Sequence, residues 1–416
     1  MHNPQIPQQN EATGKFVPKQ KSNELSRMNI VFFVHPGFLD SQSMPRFAAM
    51  LADGMTERGH TVEVWSPRPI FYRLPLKKFR KWMGYLDQYL VFPLGVRLRM
   101  LRNKENKLFV FSDQALGPWV PLVAQYPHVI HCHDFLAQRS ALGEISENKA
   151  RWTGKKYQAY IRDGFRKGKN FISVSQKTQN DLHKFLLTTP LRSAVVYNGL
   201  NQSFTPGSPA EARNLLSRRS GIDLSKGYLL HVGGNQWYKN RKGIVEIYDA
   251  LRKTDKASLP LLLIGKKPDV ELAELINSSE FASDIHCLNN MDDDAVKAAY
   301  RGASVFLFPS LAEGFGWPIA EAMASGCPVV TTNEPPMTEV AGDAAFLISR
   351  RPKGVKEAKD WAEEAAEVVK AVINLPATER AAAVELGIKN AKRFDTHKSL
   401  EAIEAIYADI LEANKK

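Results

Sequence analysis

Cysteine is scarce in this sequence, and long apolar runs are missing. The three cysteines, Cys132, Cys287 and Cys327, lie far apart and do not have the spacing of metal ligands. A reduced, cytoplasmic setting is therefore expected. No stretch of about 18 apolar residues occurs, so we expect no transmembrane helix. The polar residues 1–27 lack the apolar centre of a signal peptide and are expected to be a disordered leader.

Acidic residues are the minority, 44 against 56 Lys and Arg, and the net charge of +12 is unevenly spread. Residues 68–107 contain eleven basic and two acidic residues, which is +9 of the +12, and they also carry seven aromatic residues. Cations mixed with aromatic rings suit an anionic membrane surface. The protein would then be peripheral on the inner face of the plasma membrane. A solvated helix pair with its rings packed inward explains the pattern equally well. Nucleic acid is disfavoured, because no nucleic-acid-binding motif accompanies the charge.

The length and the order of apolar segments indicate two domains. A chain of 416 residues with 44% hydrophobic residues can build two or three cores. Residues 28–65 read as strand, helix and strand, the opening of a doubly wound parallel sheet, and this pattern restarts at Tyr228. Glycine and proline cluster in Gly199–Pro209, as expected of a hinge. We therefore predict two α/β domains, at residues 28–203 and 204–397.

The strongest pattern lies in Pro309–Val330, where Glu313 and Glu321 stand eight positions apart around a glycine-rich turn. An apolar strand ends before this stretch, and a helix is predicted after the turn. Gly314 and Gly316 permit a tight turn and a close approach of the backbone to a ligand.

The chemistry of this stretch follows from the predicted helix start. The amides of Phe315–Trp317 would lie at a helix N-terminus, which binds anions such as a diphosphate. Two carboxylates beside an anion site suit a ligand that carries both phosphate and sugar hydroxyls, such as a nucleotide sugar. The alternative interpretation is an ordinary capped helix with two solvated glutamates.

A second glycine-rich loop, Gly233–Gly243, follows the first strand of the second half. Gly234 and three cations, Lys239, Arg241 and Lys242, precede a helix that is predicted to begin at Ile244. Glycines and cations ahead of a helix make an anion site. The alternative is a loop with exposed cations.

Histidines mark the end of a strand in the first half, at His131 and His133. The two side chains share one face of the strand, but no third ligand is evident, and we predict no metal. His131 is expected to be a core histidine. His133 brings a polar group to the carboxyl edge of the sheet, where such sheets bind their ligands. Gly37, in the loop 36–43 after the first strand, is predicted to lie at the same edge.

The residues of Pro309–Val330 resemble the motif of retaining GT-B glycosyltransferases, the large family that includes bacterial polysaccharide and lipid glycosyltransferases. The resemblance covers about residues 28–412 and is strongest at 302–330. It implies two Rossmann-like domains that face each other across a cleft. It also implies that the C-terminal helix, within 398–416, crosses back to the first domain.

The family's functional positions imply roles for matching residues here. Glu321 would bind the nucleotide ribose, and Glu313 and His133 would lie at the donor sugar. A basic pair at the loop Gly233–Gly243 would hold the donor diphosphate, with Arg241 and Lys242 as the best match by spacing. Lys239 is the rival for this role, because the loop is longer than the common form.

The activity implied by the resemblance is transfer of a sugar from a nucleotide diphosphate donor to a glycan or lipid-linked acceptor, with retention and without a metal or other cofactor. Such an enzyme would serve cell-surface polysaccharide or glycolipid synthesis. Two other classes stay open: a nucleotide-sugar epimerase or hydrolase, and an inactive protein that only binds nucleotide sugars.

Overall fold

Two parallel six-stranded sheets form the framework of the protein in a computed structural model that describes residues 27–38, 43–75, 77–102, 106–200, 204–255 and 259–415. The predicted leader, apart from Arg27, lies outside the described residues, and so do residues 39–42 of the loop after the first strand. Within the described ranges, no helix is both long enough and apolar enough to cross a bilayer.

The first sheet has the strand order β2-β1-β3-β4-β5-β6. Its strands are nearly continuous apolar runs because helices cover both faces of a parallel sheet. The strands are β1 (Asn29–Phe33), β2 (Thr61–Trp65), β3 (Lys107–Phe111), β4 (His128–Cys132), β5 (Asn170–Ser173) and β6 (Arg192–Val195). The α-helices that accompany them are α1 (Ser43–Glu57), α2 (Arg80–Leu86), α3 (Phe92–Arg102), α4 (Leu136–Leu142), α5 (Trp152–Phe165) and α6 (Gln176–Phe185).

The second sheet has the order β12-β11-β10-β7-β8-β9. Its strands are β7 (Leu229–Gly233), β8 (Leu261–Gly265), β9 (Ile285–Asn289), β10 (Val305–Phe308), β11 (Val329–Thr332) and β12 (Phe346–Ile348). The helices are α7 (Pro209–Ser220), α8 (Arg241–Thr254), α9 (Val270–Ser278), α10 (Asp293–Gly302), α11 (Trp317–Ala324), α12 (Met337–Ala341), α13 (Val355–Ile373), α14 (Ala377–Ala391) and α15 (Thr396–Ala413). The predicted fold class, α/β with two doubly wound sheets, is confirmed.

The last helix, α15, packs on the first sheet although it follows the second in sequence. Its apolar side chains, including Leu400, Ile403 and Tyr407, join the core formed with β1, β3 and α1. Glu404 accepts a hydrogen bond from the ring of His60 at 2.8 Å. The exact domain boundaries stay a prediction, because residues 201–203 lie outside the described ranges.

The start of one helix was predicted wrongly, and another helix is of the 3-10 type. This second helix, Gln114–Leu122, contains two prolines. Proline removes the amide that an α-helix interior needs. The helix after the loop Gly233–Gly243 begins at Arg241 and not at Ile244, because Asn240 adopts φ 51° and caps it. This earlier start has consequences for the site.

Candidate functional site

The N-terminus of α11 presents a row of free backbone amides. Gly316 caps the helix at φ 107°, a left-handed conformation that favours glycine. The amides of Phe315, Gly316 and Trp317 have no acceptor among the described residues. The ring of Phe315 is buried against Tyr197 and Phe394, which fixes the position of this segment. Three free amides at a helix start form a site for an anion.

Glu321 lies on α11, about one turn after these amides. Its Oε2 accepts a hydrogen bond of 2.9 Å from the hydroxyl of Tyr300. Burial raises the pKa of Glu321 to about 7, although Tyr300 and the charges of Lys239 and Arg46 act to lower it. Glu321 is therefore close to the point of changing its charge at neutral pH.

A cavity of about 1430 Å³ opens beside this residue. Glu321 and Trp317 line it from the second half, and Arg46 and Asp53 of α1 line it from the first. This volume is ample for a nucleotide-sized ligand, because ligand cavities are typically about 300–1,000 Å³. The other residues of the predicted site do not line this cavity.

Lys239 contacts Glu313, one of the two acids of the predicted site. Its Nζ lies 2.8 Å from Oε1 of Glu313, and both side chains are largely buried. The ammonium group also stands over the ring of Phe308, 5.1 Å from its centre. Asn240 fixes the loop next to Lys239, since it donates to the carbonyl of Pro309 at 2.9 Å. The loop Gly233–Gly243 and the stretch Pro309–Val330 are thus brought together, as predicted.

The structure does not bring Lys242 to this site. Lys242 is exposed, whereas Arg241 is buried and bonds through Nη1 to Asn235 and to the carbonyl of Lys266. Both residues belong to the first turn of α8, so their side chains point about 100° apart. The cation that meets Glu313 is Lys239, the residue that the spacing argument ranked second.

Arg241 still has binding capacity of its own. Its Nε and Nη2 are buried without a partner among the described residues. Burial lowers the pKa of Arg241. A buried guanidinium with two free donors fits a phosphate oxygen, although the predicted pairing of Arg241 with Lys242 is not seen.

His133 is already bound to its own half of the molecule. Its Nε2 donates to the carbonyl of Ser112 at 2.8 Å, and its ring packs edge-on against Phe47. Burial lowers the pKa of His133, so the ring is neutral at pH 7 and Nδ1 is an acceptor. His131 donates to or accepts from the hydroxyl of Tyr407 at 2.7 Å, as expected of a core histidine.

Asp134 was missed in the sequence, although it directly follows His133. Its Oδ1 accepts from the amide of Leu136 at 3.0 Å. Burial raises the pKa of Asp134 to about 6, and the charges of Asp113 and Glu313 act in the same direction. The carboxyl group of Asp134, from the first half, therefore lies near that of Glu313, from the second half. Only its position at a strand end could have indicated this.

The remaining predicted residues differ in their surroundings. Gly37 lies in an exposed turn, and Gly234 is half-buried, with the side chain of Gln236 over it. Among the described residues, no group of three or more His, Cys, Asp or Glu side chains could hold a metal ion.

Solved structures with the same architecture identify the fold. WaaG, a glycosyltransferase involved in lipopolysaccharide biosynthesis, superposes with a TM-score of 0.67 at 17% identity, over 91% of this chain and 99% of WaaG. HepE of Anabaena, in complex with UDP and glucose, gives 0.65 at 18% identity, over 91% of this chain and 98% of HepE. The two sheets with their cavity define the GT-B fold.

Sequence comparisons give the family. Residues 212–390 match the profile of glycosyl transferases group 1, and residues 44–204 match that of glycosyltransferase family 4. O-antigen chain mannosyltransferase B of Escherichia coli is 28% identical over 190 residues, 45% of this chain and 49% of that protein. O-antigen chain mannosyltransferase RfbU of Salmonella typhimurium is 22% identical over 46% of this chain and 50% of that protein. The matched segment is thus about half the length of these two relatives. The chain belongs to the group 1 glycosyltransferases with the GT-B fold.

Proposed function

We propose that the protein is a retaining, metal-independent hexosyltransferase that moves a sugar from a nucleoside diphosphate sugar to an acceptor. The observation that carries this proposal is the contact of Lys239 with Glu313, at 2.8 Å, in the loop that leads to the free amides of α11. One cation, two carboxylates and a row of amides can hold a diphosphate and sugar hydroxyls in one ligand.

Each residue has a part in the proposed reaction. Lys239 and the amides of Phe315–Trp317 offset the charge that develops on the diphosphate as its bond to the sugar breaks. Glu321 accepts hydrogen bonds from the ribose, and Glu313 from the donor sugar. His133 offers Nδ1 to a sugar hydroxyl. Arg241, with its two free donors, supports the outer phosphate.

The bond changes need no protein nucleophile. The acceptor hydroxyl attacks the anomeric carbon while the bond from that carbon to the diphosphate oxygen breaks, and the diphosphate leaves with the electron pair. The proton of the acceptor passes to the departing phosphate oxygen on the same face of the sugar, which gives retention.

The relatives support a hexose donor and a cell-surface product. Two of them are named O-antigen chain mannosyltransferases, and WaaG of Escherichia coli is named a lipopolysaccharide glucosyltransferase. HepE binds UDP and glucose. We propose a glycan or lipid-linked acceptor in cytoplasmic assembly of polysaccharide or glycolipid.

The first experiment is a thermal-shift screen of nucleotide sugars, since a true donor raises the melting temperature by mass action. The hit is then incubated with and without a lipid-linked glycan acceptor, and the products are analysed. A new α-linked product with release of nucleoside diphosphate supports the proposal. Epimerised or hydrolysed sugar without acceptor would identify an epimerase or hydrolase, and binding without any turnover an inactive binder.

We also propose that residues 68–107 bind an anionic membrane surface, because the structure exposes an apolar stripe there. The helical run from Arg80 to Arg102 consists of α2, a π-helical turn and α3. Large apolar side chains at spacings of three and four residues are exposed along it: Phe79, Trp82, Leu86, Leu90, Leu94, Leu98 and Leu101. Such a stripe suits a helix that lies in the membrane interface.

Charge on the same run favours anionic lipid. Six cations are exposed beside the stripe: Lys78, Arg80, Lys81, Arg97, Arg99 and Arg102. The acid Asp87 is buried, and its carboxylate accepts from the amides of Ile70, Phe71 and Tyr72. Only part of the alternative interpretation holds, since Phe92 and Tyr89 pack inward while Phe79 and Trp82 do not.

Flotation with anionic liposomes tests this surface. Reversal of Lys78, Arg80 and Lys81 to Glu should weaken binding roughly 100-fold, at about 1 kcal/mol for each cation near the surface. The control reverses Lys356, Lys359 and Lys389, three exposed lysines on α13 and α14, with the same change in net charge. Equal flotation of both variants would exclude the proposed surface.

A further inference from the structure

The start of α6, in the first half, contacts the loop before α11 in the second half. We call this loop, residues 309–316, the donor loop. Ser175 caps α6 by accepting from the amide of Thr178 at 3.0 Å, and both side chains are buried. The hydroxyl of Ser175 also donates to the carbonyl of Gly314 at 2.8 Å. The hydroxyl of Thr178 lies 3.2 Å from the same carbonyl and 3.1 Å from that of His133. Two hydroxyl groups of one half therefore converge on one carbonyl of the other.

Gly314 has no room for a side chain at this contact. A Cβ atom added there would stand 2.1 Å from the carbonyl oxygen of His133. The glycine was predicted to allow close approach of a ligand, but what approaches it is the backbone of the first half. This contact brings the end of β4 and the donor loop together.

A second contact completes the cap of α6. The amides of Gln176 and Lys177 donate to the two carboxylate oxygens of Glu339, at 2.7 and 2.8 Å. Glu339 lies on α12 in the second half. The first amides of α6 are thus satisfied partly by Ser175 and partly by the second half, so separation of the halves exposes them again.

We infer that Ser175 and Thr178 are positioning residues for donor binding, a role that rests on the proposed function. A trans peptide is planar, with its C=O and N–H antiparallel. Holding the carbonyl of Gly314 therefore also sets the direction of the amide of Phe315, the first of the free amides. The donor diphosphate meets oriented amides only while α6 of the first half is docked on the loop of the second.

The test compares a nucleoside diphosphate with its monophosphate. Binding of UDP, UMP, GDP and GMP is measured by calorimetry for the wild-type protein and for Ser175→Ala and Thr178→Val. The ratio of the monophosphate Kd to the diphosphate Kd reports what the second phosphate contributes. Each variant should lower this ratio about three- to tenfold, the worth of one hydrogen bond, while monophosphate binding at Glu321 changes little.

Two controls make the outcome decisive. Ser208→Ala removes a serine that caps α7 in the same way, at 3.3 Å from the amide of Glu211, but does not reach the donor loop. It should leave the ratio unchanged. Ser175→Thr keeps the hydroxyl and should restore the ratio.

The possible failures can be told apart. A ratio equal to that of the wild type in both Ser175→Ala and Thr178→Val overturns this inference alone. Equal weakening of monophosphate and diphosphate shows a purely structural role and overturns it as well. A wild-type protein that binds neither UDP nor GDP overturns the proposed function, and this inference with it.

Discussion

The two sheets differ in how the polar groups at their carboxyl edges are paired, although both sheets are parallel and six-stranded. At the edge of the first sheet, His133 donates to Ser112 and Asp134 accepts from Leu136. At the edge of the second, three amides of the α11 start and two donors of Arg241 have no partner in the described part of the chain. Unpaired buried polar groups are costly, so proteins keep them where a ligand completes them. His133 and Asp134 at the first edge are thus already paired within the protein, although the hydroxyls of Ser112 and Ser173 there have no partner among the described residues. The second edge offers free amide and guanidinium donors to a ligand.

Substitution of Lys239 should give the largest effect. Lys239→Ala removes the cation that we propose binds the diphosphate, and we expect kcat to fall about 100- to 1,000-fold, as for other lost electrostatic contacts in a transition state. Steady-state kinetics with the donor found by the screen measures it.

Lys242→Ala is the matched control for Lys239→Ala. Lys242 is three positions away, carries the same charge and is exposed, so its removal should change kcat/KM less than about threefold. If the two variants lose activity equally, the structural choice of Lys239 over Lys242 is wrong.

Substitution of Glu321 should affect affinity and stability in opposite directions. Its pKa is raised by burial to about 7, from an ordinary value of 4.5. The folded state therefore binds an extra proton between these values, and this contribution to stability is lost as the pH rises from 4.5 through 7. Glu321→Gln should remove the loss, which is on the order of 3 kcal/mol at most.

The readout for Glu321→Gln is a pair of titrations. Melting temperatures at pH 5 and pH 8 should show a smaller difference for the variant than for the wild type. Nucleotide affinity of the wild type should rise through pH 7 as Glu321 ionises, and that of the variant should be lower and flat. Asp134, with a pKa of about 6, also titrates in this pH range in both the wild type and the variant. Only the difference between the two titrations is therefore assigned to Glu321.

A substitution at the edge of the first sheet should act on stability as well as on donor binding. His133→Ala leaves the carbonyl of Ser112 without its donor and takes a ring away from Phe47, and we expect a loss of about 2 kcal/mol in the free energy of unfolding. Urea denaturation measures this loss. A stability equal to that of the wild type would mean that the two edges do not differ as described.

The sequence was sufficient to predict much of the fold, and its site residues stay a prediction, but it failed where the start of a helix mattered. The apolar runs from Asn29 to Ile348 predicted parallel sheets because strands buried on both faces must be apolar. The Glu313–Glu321 spacing with its glycines indicated the donor loop. The choice between Lys239 and Lys242 could not be made, since it depends on where α8 begins.

Residues that act through distant contacts left no signal in the sequence. Tyr300 meets Glu321, and Ser175 meets Gly314, only after strands far apart in the chain have been placed side by side. Ser175 caps α6, and nothing nearby in the sequence indicated its second hydrogen bond, to Gly314.

The order of apolar residues, glycines and charged residues along the chain was sufficient to predict the two sheets, the glycine-rich turn between Glu313 and Glu321, and the basic residues 68–107. The tertiary structure alone decided which cation meets Glu313, which amides stay free and how α6 holds Gly314. The reason is that periodicity reports burial along one element, whereas pairing depends on the distances between elements.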